Sequence, residues 1–118
     1  MTSREQDKAR WVAIGDSLPI PTEIRDDFTH FGLDMITDLW RRPGLTPAQR
    51  SLVTISALVA LNRPAELSIH IGKAIGNGVS RAEICEAIMH LAAYAGYPAA
   101  LGGMHVAHDT FGELDARE

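Results

Sequence analysis

The sequence predicts an all-α fold, and three features carry that expectation. No run alternates apolar and polar residues over the length of a strand. Apolar residues recur instead at the three- and four-residue spacing of a helix face, and helix-start and helix-stop residues punctuate the chain at regular intervals. With 118 residues, 46% of them hydrophobic, the chain is long enough for one core and short for two. Aromatic residues make up only 6%, so that core must be built from aliphatic side chains and alanine at close range, which suits helices.

Residues 1–21 are polar and end in "LPIP", which reads as an N-terminal arm, extended or with at most a short helix. Residues 22–118 read as one domain. From Thr22, the positions Ile24, Phe28, Phe31, Met35, Ile36 and Leu39 follow helical spacing, predicting a helix to about Trp40. "RRPGL" interrupts it. Then "TPAQ" offers Thr46 as N-cap, Pro47 at the first helical position and Gln49 to close a capping box. The helix that follows is apolar almost all round, as expected of a central helix or a subunit interface. Pro64 opens the next helix and Asn77-Gly78 ends it. Ser80 and Glu83 form a second capping box ahead of Ile84, Ala87, Ile88, Leu91 and Ala95, and Gly96 breaks that segment. Pro98 starts a last long helix, whose "AALGG" run leaves room for a neighbour to approach closely.

Eleven basic and fifteen acidic residues give a formal charge of −4 with both signs scattered, which argues against a nucleic-acid partner. The nearly uncharged run 51–62 is too short to cross a bilayer, and "MTSREQDKAR" lacks the apolar region of a secretory signal. The chain therefore reads as soluble and cytoplasmic. Cys85, the single cysteine, rules out an internal disulfide and reads as a buried thiol between Ile84 and Ile88.

The segment "ELSIHIGKAIGNG" is the chemically informative one. On a helix, Glu66, His70, Lys73 and Asn77 fall within about 60° of one another, apart from the arc of Leu67, Ile71, Ala74 and Ile75. Periodicity favours a solvated face with a weak Glu-to-His contact. The alternative is an acid–base pair, in which the carboxylate lifts the imidazole pKa above about 6.5 and fixes the ring. Gly72 and Gly76 suggest a helix backbone pressed against a neighbour.

From "LWRRPGL" through "RSLVTI", "ALNR", "ELSIH", "NGV" and "YAGYPAA" to a later histidine, residues 39–108 resemble the carboxymuconolactone decarboxylase family of the AhpD-like group. The resemblance implies a bundle of about six helices assembled into rings, trimers or hexamers, with active sites near subunit contacts. It also implies a cofactor-free lyase that releases carbon dioxide from a small carboxylated lactone in aromatic-acid breakdown. By resemblance Glu66 and His70 match the family's Glu-x-x-x-His pair, His105 the histidine of the last helix, and Arg50 the arginine before "SLVT". These roles are, in turn, orienting His70, delivering a proton, polarising the substrate, and holding a carboxylate or oxyanion. Trp40 and Tyr94 are expected to line the pocket, and no metal site is expected.

Two departures bear on substrate, of which one is that "ALGGM" replaces a more polar stretch of the family's decarboxylases. In the other, relatives carry "ELRLHLRAA" from Glu66 on, with arginines where this chain has Ser68 and Gly72, so only Lys73 is left to supply charge. The peroxidase branch has a Cys-x-x-Cys pair where Glu66 stands, which points away from peroxide chemistry. His105 and His108 beside Asp109 lack a recognised metal-ligand spacing. His30 and His90 are assigned no function. Two other readings remain open: an isomerase or cyclase using the same pair, and a non-catalytic oligomeric ligand-binding protein favoured by the missing arginines.

Overall fold

The computed structural model describes residues 2–117, and the side chains of all of these but 13–17. The chain is all-α: helices α1 (Ser3–Ser17), α2 (Arg25–Trp40), α3 (Pro47–Ala60), α4 (Pro64–Gly76), α5 (Arg81–Tyr94) and α6 (Tyr97–Ala116) account for the secondary structure. They form two compact units, Met1–Gly44 with α1 and α2, and Leu45–Glu118 with the other four. No helix among the described residues is long and apolar enough to cross a membrane.

In the first unit the expected extended arm is instead the fifteen-residue helix α1. Its surface is polar, and charge matching with α2 holds it. Arg4 bonds to Asp38 at 2.7 Å and Asp34 at 3.1 Å, Lys8 reaches Asp34 at 2.7 Å, and Arg41 meets Asp7 at 2.6 Å. Basic residues at i and i+4 on one helix thus meet acidic residues at i and i+4 on the other. Helix α2 forms as its spacing predicts, but it buries Leu33 and Thr37. The stripe that signalled the helix, Ile24, Phe28, Phe31, Met35 and Leu39, stands exposed.

The second unit starts as its capping residues dictate. The Thr46 hydroxyl accepts from the Gln49 amide at 3.1 Å while the Gln49 side chain accepts from the Thr46 amide at 2.9 Å, with Pro47 in the first turn. Ser80 and Glu83 repeat the reciprocal pair at the start of α5. Gly78 and Gly96 take φ of +93° and +100°, conformations open to glycine, and end α4 and α5 where expected. Helix α6 begins one residue before Pro98, at Tyr97.

Helix α3 packs against α4, α5 and α6, and is in that sense central, while Val53 and Leu61 on its outer side remain exposed. Ile55 and Val59 of α3, Leu67, Ile71 and Ala74 of α4, Ile84 and Ile88 of α5, and Ala100 and Ala107 of α6 make the core. Each isoleucine fully withdrawn from water contributes about 1.5–3 kcal/mol relative to exposure. Arg81 clamps the start of α5 to the end of α6, pairing with Asp115 at 2.6 Å and lying 4.9 Å over the Phe111 ring. Cys85 is half-buried rather than enclosed.

The glycines divide. A Cβ on Gly103 would lie 3.0 Å from Ile88 and 3.1 Å from Val59, so α6 approaches α5 and α3 through this residue as the "AALGG" run predicts. Gly102, Gly72 and Gly76 have nothing within 4 Å of such a Cβ, so the expected backbone crowding at 72 and 76 does not occur within this chain. Accordingly, Gly102→Ala should stabilise by about 0.5–1 kcal/mol through helix propensity, whereas Gly103→Val should cost about 1–3 kcal/mol by overpacking. Thermal melts of the two variants should move in opposite directions from wild type.

Candidate active site on helix α4

The roll of α4 about its axis decides which side chains can act together. Leu67, Ile71 and Ala74 are buried, and they hold the helix so that Glu66, His70, Lys73 and Asn77 run along one edge of the buried face. Two hydrogen bonds fix this orientation from either side. The Asn77 side-chain amide donates to the Ser51 hydroxyl of α3 at 2.9 Å, and the Ser68 and Thr110 hydroxyls, on α4 and α6, meet at 2.9 Å. The stripe therefore lies on the α3 side of α4, and α6 covers the other side.

Along the stripe Glu66 is exposed, and His70 and Lys73 are half-buried. The expected rise in the His70 pKa is not found; its pKa lies below the ordinary 6.5. Loss of hydration is the largest cause, the positive charge of Lys73 adds to it, and Glu66 opposes both without overcoming them. No hydrogen bond joins Glu66 to His70. In the single chain burial and Lys73 thus favour the neutral imidazole, able to donate or accept, over the imidazolium. Burial also lowers the Lys73 pKa from 10.5.

The remaining residues picked out by sequence fall in several places. Arg50 precedes Ser51, so its backbone lies at the Asn77 end of α4, but it is turned about 100° around α3 from the Ser51 side that meets α4. His105 is exposed and lies about 140° around α6 from Thr110, away from α4. Tyr94 is 79% exposed and stacks on His90, ring centroids 4.9 Å apart. Trp40 lies in the first unit against Trp11, centroids 6.3 Å apart. So within the second unit Glu66, His70 and Lys73 share a face of α4, whereas His105 and Tyr94 stand elsewhere.

His90 is a feature that sequence left without a role. It lines an open groove of about 650 Å³ with Leu52, Glu83, Glu86 and Met89, and the i, i+4 spacing of His90 and Tyr94 was the available signal. Among the described residues no three histidine, cysteine or carboxylate side chains stand close enough to hold a metal ion.

A family model described as "Carboxymuconolactone decarboxylase family" matches residues 26–109, most of the chain. The chain belongs to the carboxymuconolactone decarboxylase family. Over 77 residues, 65% of this chain, it is 46% identical to 4-carboxymuconolactone decarboxylase of Acinetobacter baylyi, covering 58% of that protein. Over 92 residues, 74% of the chain, it is 38% identical to nitrosuccinic acid decarboxylase npaB of Metarhizium robertsii, covering 64% of it. The chain thus spans about six-tenths of the length of each of these relatives.

The two positions at which the sequence resemblance leads one to expect arginine lie away from the stripe. Ser68 and Gly72 each lie about 160° around α4 from His70. Their lack of charge therefore removes no cation from the His70 edge within this chain, and Lys73 is the cation that edge carries.

A depressed histidine pKa is also a statement about stability. The unfolded chain binds a proton near 6.5 more readily than the native one, so the contribution of neutral His70 is complete above that pH. It is lost as the pH falls below 6.5 toward the folded value. Urea midpoints at pH 7.5 and 5.5 should accordingly fall less steeply on acidification in His70→Gln than in wild type.

Proposed function

We propose that this protein is a decarboxylase of a small carboxylic acid that carries its own electron sink, with Glu66, His70 and Lys73 at the centre of its chemistry. Membership of the family, with two relatives both named decarboxylases, is the observation that supports the reaction type. The named substrates share one chemical property. When the carboxylate leaves, the electron pair passes into a conjugated lactone in one case and a nitro group in the other, so the intermediate is a resonance-stabilised anion.

Such a reaction needs three things from a protein: a cation to hold the acid, a poorly hydrated surface where the carboxylate is readily lost, and a proton for the carbon left behind. The half-buried edge of α4 offers each of them. Lys73 supplies positive charge. The carbon–carbon bond breaks to give carbon dioxide and the delocalised anion. Protonated His70 then gives its proton to carbon and regains one from water, while Glu66 supports the imidazolium that exists before transfer. His105 and Tyr94 join this site only if another copy of the chain brings them to it.

Assembly into a homo-oligomer, a trimer or hexamer, belongs to the same reading. Contacts between copies would cover Phe28, Phe31 and Met35 on α2, Val53 on α3 and Leu61 just after it, which are 58%, 69%, 58%, 60% and 62% exposed in the single chain.

Carbon dioxide release from 4-carboxymuconolactone and from 2-nitrosuccinate is the direct test. Turnover of one of them should fall at least a hundredfold in His70→Ala and Glu66→Gln, with unchanged circular dichroism and sedimentation. Full activity in both variants would reject the assignment. No carbon dioxide from either compound or from related lactone acids would reject the reaction.

A further inference from the structure

Lys73 is the cation of the α4 stripe. It sits three residues after His70, one turn along the same edge, and Glu66 sits four residues before it, one turn the other way. His70 is therefore flanked along the helix by charges of opposite sign. Both His70 and Lys73 are half-buried, so their interaction is screened less than one between fully exposed groups. We propose that Lys73 receives the substrate carboxylate, and that this contact transfers His70 from the influence of Lys73 to that of Glu66, so that the site takes up a proton as the acid binds.

Charge balance along the stripe gives the reason. In the unliganded chain the charges acting on His70 are Lys73 against it and Glu66 for it, with desolvation on the side of Lys73. Arg50 is the titratable group of α3, and its backbone lies at the Asn77 end. The side chains of α6, among them His105, His108, Asp109 and Glu113, belong to a helix that meets α4 on the Ser68 side, about 160° from His70. On α5, Arg81 is committed to Asp115, Glu83 to its helix cap, and Glu86 and His90 to the outer groove. None of these, nor Cys85, acts on His70. An anion on Lys73 offsets its repulsion and leaves Glu66 to favour the imidazolium. The proton needed after carbon dioxide departs is then loaded only when an acid is bound. The binding of the acid and the arming of the proton donor become one linked event.

The inference rests on the decarboxylase reading for the nature of the ligand but not on turnover, so a non-reacting acid tests it. Succinate has two carboxylates and no electron sink. Titration calorimetry of the full-length protein with succinate, in two buffers of different ionisation enthalpy at pH 7, reads the protons bound per site. NMR of the imidazole signals reads the His70 titration directly. Wild type should take up a fraction of a proton per site and show its His70 midpoint moving up on saturation. In Lys73→Met the unliganded midpoint should already be higher, the uptake should vanish, and succinate affinity should fall about tenfold. Lys73→Arg should restore binding and uptake, and Glu66→Gln should abolish the uptake while leaving most of the affinity. Saturation of wild type without proton uptake, an unmoved His70 midpoint in Lys73→Met, or failure of wild type to bind succinate would each overturn it. Uptake seen as expected alongside no carbon dioxide from any acid would retain this linkage and reject only the reaction.

Discussion

How α4 is rolled against its neighbours is the constraint on which the chemistry depends. A helix offers about 100° per residue, so a rotation of one residue would exchange a half-buried imidazole for an apolar side chain. Leu67, Ile71 and Ala74 set that rotation by being almost wholly withdrawn from water, and Asn77 and Ser68 lock it with hydroxyl contacts to α3 and α6. The cost of exposing those three apolar groups far exceeds that of desolvating one edge histidine in part. The site's electrostatics are thus a by-product of core packing. Gly103 serves the same packing from the opposite helix, because only a residue without a side chain lets α6 close on Ile88 and Val59.

Partial burial shapes the behaviour of His70 more than its neighbouring carboxylate does. A Glu-to-His pair in a helix suggests a charged imidazole when only spacing is considered, since the attraction is obvious and the loss of hydration is not. The structure reverses the order of those effects and adds a lysine one turn on.

Much of the architecture was legible in the chain. Thr46 with Gln49 and Ser80 with Glu83 announced two helix starts because a capping box is a local device, decided within four residues. Gly78 and Gly96 announced two ends for the same reason. Helix α1 escaped notice because its stability is not local: Arg4, Lys8 and Asp7 find their partners some thirty residues away on α2. The apolar stripe of α2 predicted a helix and misled about its buried face, since periodicity identifies an amphipathic helix without saying which side a given unit encloses. Of the candidate site, the row 66, 70 and 73 was visible as spacing. The positions of His105 and Tyr94 relative to it were not, because they depend on how separate helices are turned toward each other.

Helix α4 begins without a capping side chain, at Arg63 and Pro64, and Glu66 falls in its first turn. Unpaired amides and the partial positive charge of that terminus attract the Glu66 carboxylate, as the imidazole one turn further in also does. The carboxylate is therefore shared between a backbone field and a side chain. A replacement at position 63 that supplied its own oxygen to those amides would free Glu66 for the histidine without touching either residue, making the beginning of this helix a remote dial on the acidity of a group it never contacts.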